Sequence, residues 1–556
     1  MKKRGTGLFL LLFVLAAQAL MAQGAKKAFV NGKIYTVNKN QPYAELVISE
    51  GNKILFVGSR QEGEKYLEDC EIIDLQGKLM LPGFIDDHTH FIDGGFHLLG
   101  LDLRPAKSTA EFKQILRAYV ETHRGQWITG GDWDHEQWET TDLPDKKMID
   151  EFSPQTPILI SRFDGHMSLA NSYALKLAGI TKDTPSPPGG LIVKDPHSGE
   201  PTGILKDEAE NLVYALIPAH TPEQIRTAAL RALEEARRNG ITSLQDITYK
   251  SHLYTYQQLE KQGLLTCRIY TRMPIYTYKD FADMGIQADF GSDKLKIGSL
   301  KAFADGSLGS STALFFEPYT QDPTTRGLAM DMLADGRLRA MALDADKHHL
   351  QLSIHAIGDS ANAAILDIFQ EIVTTNPTWD RRFRIEHAQH VRFEDIKRFQ
   401  RLGVIASVQP YHAIDDGVWA EKRIGSRINY SYPFRSFLDA GVKLCFGSDW
   451  TVAPLNCLLG IYAAVTRRTL DGKNPYGWVP EQKISVAEAI ECYTINSAYA
   501  AFEESVKGSI ETGKFADFVI LSDDILTIEK DRIKDVKVEI TIFDGEIVFQ
   551  RDILDK

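Results

Sequence analysis

The earliest residues whose types and spacing suit chemistry are the two histidines of the run Ile85-Asp86-Asp87-His88-Thr89-His90. Side chains of a strand alternate between faces, so these two imidazoles point the same way and can share one metal ion. Four more groups of the same kind end later apolar runs: Lys301, His355 after Leu352-Ser353-Ile354, His387 after Ile385-Glu386, and Asp449 after Phe446-Gly447-Ser448. Singly, each has an ordinary explanation: a core histidine with satisfied ring nitrogens, a solvated lysine, an aspartate capping the next helix. Together, six ligand-type side chains at the ends of five separate runs ask for a common cause.

The elements that must position them alternate between strands and helices, which predicts a parallel sheet covered by helices. Candidate strands are 81–86, 157–162, 241–246, 268–274, 295–304, 351–356, 383–388, 404–409 and 442–449, nine in all, one more than a (β/α)8 barrel needs. The surplus is 157–162, because it lies in a stretch, 94–220, that interrupts the alternation and carries a Pro/Gly-rich segment and a hairpin signal at His197-Ser198-Gly199-Glu200. That stretch is read as an insertion over the barrel top. All strand C-termini of a parallel barrel meet on one face, so the six side chains would converge there. Helices are expected at 222–238, stopped by Asn239-Gly240, and at 485–501, with Ser485 as N-cap and Glu488 completing a capping box.

Both chain ends are rich in short strands. Asn31-Gly32 and Asp544-Gly545 read as hairpin turns, and Glu50-Gly51-Asn52 as another turn. The expectation is an α/β fold: a distorted (β/α)8 TIM barrel, 81–507, with the insertion at about 94–220. One small β-sandwich would be built from 23–80 and 508–556.

With 556 residues, 43% of them apolar, the chain can bury a large core. A net charge of −12 without a basic block removes the electrostatic footprint of a nucleic-acid binder. Residues 1–22 run from Lys2-Lys3-Arg4 through a short apolar core to Leu20-Met21-Ala22, the order of a secretory signal peptide. The expected mature protein is therefore exported, periplasmic or secreted, with no stable membrane insertion after cleavage. Five cysteines without a Cys-x-x-Cys give no disulfide framework, and Cys445, inside the apolar run 442–446, reads as a buried small hydrophobe.

His88-Thr89-His90, Lys301-Ala302-Phe303-Ala304-Asp305-Gly306, Ser353-Ile354-His355-Ala356-Ile357-Gly358-Asp359, Ile385-Glu386-His387-Ala388-Gln389 and Gly447-Ser448-Asp449-Trp450 together resemble the metal-ligand series of the amidohydrolase superfamily. The closer resemblance is to amidohydrolase family 3, the branch with N-substituted formamide deformylase, over residues 27–549. It implies one or two divalent metals, zinc first: His88, His90 and Asp449 on one, His355 and His387 on the other, and Lys301 bridging them as a carbamate made with carbon dioxide. A carbamylated lysine presents a carboxylate where an ammonium would repel the metals.

The implied activity is hydrolysis of C–N bonds other than peptide bonds, in an amide or N-acyl amine. Metal-activated water attacks a polarised carbonyl, and Asp449 carries the proton to the leaving nitrogen. Gly131-Asp132-Trp133-Asp134 and Asp164-Gly165-His166 resemble family segments near the substrate, so Trp133, Asp134 and Asp164 are expected at the substrate, as is Asp305 in the loop after the lysine strand. His166 would donate to the developing oxyanion. Trp133, Trp138 and Phe163 suggest an aromatic-lined pocket. The expected partner is a small-molecule substrate, with a homodimer left open. Two alternatives stay open: a lactonase or phosphoester hydrolase on the same site, and a non-catalytic solute-binding protein with a degenerate site.

Overall fold

A computed structural model describes residues 26–551 apart from Thr141, so the basic-apolar segment 1–22 lies outside the described residues. Eight parallel strands form the central sheet: β1 (Phe84–Thr89), β2 (Ile241–Ile247), β3 (Arg268–Pro274), β4 (Leu295–Phe303), β5 (Leu352–Ala356), β6 (Arg384–His387), β7 (Ile405–Val408) and β8 (Leu444–Phe446). Each pairs in parallel with the next. The ring closes between β1 and the chain after β8, where Thr89 bridges Trp450 and Asp449 N–H donates to His88 O at 2.7 Å. β1, β2 and β5 to β8 are buried at every residue, so they show no alternation of buried and exposed positions. Their sequence order around the sheet is that of a (β/α)8 barrel.

Residues 157–162 stay out of the barrel, as expected. Ile158–Arg162 joins a five-stranded sheet inside the insertion, parallel to Ile128–Trp133 and antiparallel to Met167–Ala170. A hairpin joins Gly190–Lys194 to Pro201–Asp207 in the same sheet.

The strand expected at 81–86 divides in two at Gly83. Leu79–Pro82 pairs with Phe518–Leu521, whereas the barrel strand starts at Phe84 and runs on to Thr89. The division needs glycine, because a Cβ at position 83 would lie 2.1 Å from Thr242 Oγ1. Residues 79–85 are thus a continuous apolar run that serves two sheets.

Strands from both ends share a six-stranded sheet, Lys33–Tyr35, Leu79–Pro82, Phe518–Leu521, Val538–Phe543 and Glu546–Gln550 among them, which faces a four-stranded sheet of N-terminal strands. Phe29, Met80, Phe518, Ile520 and Ile542 fill the space between. Asp544-Gly545 is the two-residue hairpin turn expected, with positive φ at both residues and Phe543 opposite Glu546. Asn31-Gly32 is not a hairpin: Lys26–Val30 pairs within the four-stranded sheet and Lys33–Tyr35 within the six-stranded one. The turn carries the chain from one sheet to the other.

The helix Pro222–Arg238 has Thr221 and Gln224 as a capping box and buries Ala228, Ala229 and Ala232. The helix expected at 485–501 begins as expected, with Ser485 and Glu488 capping it, but it is two helices, Val486–Cys492 and Ile495–Ala500. Thr494 interrupts it with φ −135° and ψ −98°, its hydroxyl donating back to Ile490 O at 2.6 Å. Cys445 is buried, its thiol 3.1 Å from Asn496 O.

Candidate active site

Strand C-termini bring the six expected ligands to one end of the barrel. His88 Nε2 and His90 Nε2 lie 3.5 and 3.4 Å from Asp449 Oδ1, and His387 Nδ1 lies 3.8 Å from Asp449 Oδ2. Asp449 reaches them because its backbone is left-handed, φ 57°, directly after β8. Lys301 Nζ on β4 is 3.5 Å from His88 Nε2. The His355 ring stands 4.5 Å from that of His387, centroid to centroid, and its Nε2 meets Gly306 O at 3.1 Å, which leaves Nδ1 as the nitrogen able to bind a metal.

Two histidine nitrogens and a carboxylate oxygen converge, and Asp449 Oδ1 is buried with no hydrogen-bond partner among the described residues. A buried carboxylate oxygen without a donor is costly unless a cation satisfies it, so the residues fit a divalent metal. Burial opposes ionisation of Asp449, but the imidazoles of His88, His90 and His387 reverse that and hold it well below the usual carboxylate range. Burial and the neighbouring Lys301 charge push His88 down to about 3, so it is neutral and able to ligate.

Beneath the site lies a buried ionic floor that the sequence reading missed. Glu386 Oε2 is 2.5 Å from His88 Nδ1 and accepts from Arg272 Nη1 and Ser407 Oγ at 2.8 and 2.7 Å. Arg384 bridges Glu386 and Asp87, at 2.9 and 2.7 Å, and all four charged side chains are fully buried. A carboxylate at Nδ1 fixes the tautomer that turns the His88 Nε2 lone pair toward a metal. The available signal was the charge itself: Arg384 and Glu386 stand on either side of Ile385 in a strand that a parallel barrel buries.

A cavity of about 730 Å³ opens above these groups, walled by the barrel top and the insertion. Lys301, His355, His387 and Asp449 form its floor, and Asp164, His166, Phe163, Leu101 and Trp419 are among its walls. Burial lowers the Lys301 pKa to about 8. For His166, burial disfavours the cation, but the Asp207 carboxylate, 2.7 Å from Nδ1, outweighs it, with help from Asp164 and Glu210, and lifts the pKa to about 9.

Three expected substrate residues are not on this wall. Trp133 is wholly buried in the insertion core beside Phe112 and Trp138, its indole N–H donating to Ile160 O at 2.9 Å. Asp134 caps a short turn at Glu136 N and pairs with Arg162. Asp305 accepts from the N–H groups of Leu314, Ile357 and Gly358, organising the loops around His355. Asp164 does face the cavity, tied to Arg162, Ser307 and Ser310. From the same motif it is Asp132 that lines the cavity, and from the end of β7 it is His412, neither of them anticipated.

This barrel and donor set belong to the class of metal-dependent hydrolases. A family model described as the amidohydrolase family matches residues 71–549, and the chain belongs to that family, in the family 3 branch. It is 39% identical to protein LONG AFTER FAR-RED 3 of Arabidopsis thaliana, over 88% of this chain and 86% of that protein. It is 27% identical to N-substituted formamide deformylase of Arthrobacter pascens, over 96% of this chain and 99% of that one. Among solved structures it is similar to an uncharacterised metal-dependent hydrolase of Pyrococcus horikoshii OT3, with a TM-score of 0.74 and 29% identity, covering 91% of this chain and 99% of that one.

Proposed function

We propose that this protein hydrolyses the C–N bond of N-acyl amines, with N-substituted formamides and related small amides as its substrate class. The observation that carries the reading is the buried Asp449 Oδ1, without a hydrogen-bond partner among the described residues, between two imidazole nitrogens at the floor of the cavity. His88, His90 and Asp449 would hold one divalent metal, and His355 and His387 a second. Zinc suits imidazole and carboxylate ligands, with iron or manganese as substitutes. When bound, such metals lower the pKa of water and polarise a carbonyl.

The chain's own residues do the rest. Asp449, held ionised, takes the proton from the attacking water and delivers it to the leaving nitrogen. His166 is protonated at neutral pH and donates to the carbonyl oxygen as negative charge develops there. Lys301, with its pKa near 8, has a free-amine fraction at neutral pH that can add to carbon dioxide with release of a proton, and the resulting carbamate would offer the metals a carboxylate ligand. The insertion supplies one wall of the cavity through Phe163, Asp164 and His166.

Metal analysis with a chelator-sensitive screen across amides, lactones, esters and phosphotriesters tests the reading. Turnover confined to phosphotriesters or lactones would replace the amide substrate. Metal without any turnover would favour a binding protein. The order of residues 1–22 supports export to the periplasm or beyond, and N-terminal sequencing from the native host decides it: an intact Met1 on cytoplasmic protein refutes export.

A further inference from the structure

His412 sits in the helix Pro410–Asp416, directly after β7, 6% exposed, on the cavity wall. A ring nitrogen of His412, one of His387 and a carboxylate oxygen of Asp449 all lie within 4.8 Å of one another, so by distance alone His412 is another metal ligand. Its hydrogen bonds argue otherwise. His387 Nδ1 faces an acceptor, Gln409 Oε1 at 2.8 Å, which places the proton on Nδ1 and leaves Nε2 a free lone pair for a metal. His412 Nδ1 faces a donor, Gln389 Nε2 at 3.3 Å. A neutral imidazole that accepts at Nδ1 carries its proton on Nε2. The two rings lie nearly parallel, 10° apart, yet their glutamine partners prepare them for opposite tasks. His412 Nε2 is also buried without a hydrogen-bond partner among the described residues, a donor awaiting an acceptor.

We infer that His412 is a catalytic residue of the hydrolysis, donating Nε2–H to the substrate carbonyl oxygen as it becomes an oxyanion, and that Gln389 is the positioning residue that sets its tautomer. This rests on the amide-hydrolase reading given above. With His166, it supplies a second donor, from the barrel rather than the insertion.

The test compares wild type, His412→Ala, His412→Gln and Gln389→Glu, purified with metal. The readouts are metal stoichiometry, turnover of an N-alkylformamide and affinity for an N-alkyl phosphonamidate, a tetrahedral oxyanion mimic. Loss of one oxyanion donor typically costs about 10²–10³ in kcat, so His412→Ala should fall by that much with KM little changed, its phosphonamidate affinity falling in step. His412→Gln, which keeps an N–H, should recover roughly tenfold or more over the alanine variant. In Gln389→Glu the carboxylate takes Nδ1–H, so only the doubly protonated ring keeps a donor at Nε2: kcat should fall toward alkaline pH, where the neutral ring carries its proton on Nδ1, while metal content holds. All three variants should keep the full metal complement.

Metal loss in His412→Ala that excess zinc restores would make His412 a ligand and overturn the inference. So would kcat and phosphonamidate affinity within about threefold of wild type. If wild type hydrolyses no amide, that reading fails by itself, while metal count and phosphonamidate affinity still decide what His412 does.

Discussion

Glu386 Oε2 lies 2.5 Å from His88 Nδ1, on the side of the ring away from Asp449, and Arg272 and Arg384 both pair with the same carboxylate. The metal-facing histidine is therefore held from below by a charge that is itself held by two others. Glu386→Gln keeps an acceptor for His88 but removes the charge that balances two buried guanidinium groups. Metal affinity should fall about 10–100-fold, as for other partners behind a metal ligand. Breaking a buried pair costs roughly 3–5 kcal/mol, so stability should fall as well. Metal titration and urea unfolding check the two effects; a variant unchanged in both would assign Glu386 no part in holding His88.

His88→Ala and Asp449→Asn should both abolish hydrolysis, by different routes. Removing the imidazole deletes a metal ligand, so metal and rate fall together. Asparagine preserves the shape and a weak oxygen ligand but cannot take the water's proton, so metal can stay while turnover drops by about 10²–10⁴. Metal analysis beside kcat separates the two; an Asp449→Asn protein with normal metal and near-normal turnover contradicts the role given to Asp449.

Lys301→Ala removes the side chain proposed to bridge the metals as a carbamate. The expected result is a protein with one metal in place of two, and partial rescue of both metal and rate by added short carboxylic acids, which restore the missing carboxylate. A variant that keeps both metals without rescue shows that Lys301 is no bridge.

The pH profile reports on His166. Its folded pKa, about 9, stands above the unbound value of 6.5, so the protonated form is the one folding favours. The stabilisation, roughly 3 kcal/mol, is complete below pH 6.5 and is lost as pH rises through about 9. The rate should fall over the same alkaline range as the oxyanion donor loses its proton. His166→Gln should flatten the 6.5–9 window in thermal melts taken across pH, and an unchanged slope would remove His166 as the titrating group.

Much of this was legible because the strands alternate with helices and the ligands lie at or near the strand ends. His88, Lys301, His355 and His387 fall within the last three residues of their strands and Asp449 three past the end of β8, and their convergence needs only that the strands be parallel. Gly83 was harder, since an apolar run does not say which of two sheets each half joins. Trp133 and Asp134 were placed at the substrate by resemblance to a family segment, which does not say which of its residues faces the cavity: Gly130, Gly131 and Asp132 all have positive φ, which turns Asp132 to the cavity and Trp133 into the core. His412 escaped notice because it lies four residues past the end of β7, on a helix rather than at a strand terminus.

The most direct measurement is turnover of an N-substituted formamide by protein stripped with a chelator and then titrated with zinc, metal content being read on the same samples. Activity should vanish with the metal and return in proportion to bound zinc, levelling off when the sites formed by His88, His90, His355, His387 and Asp449 are full. Undiminished amide turnover by metal-free protein would contradict it.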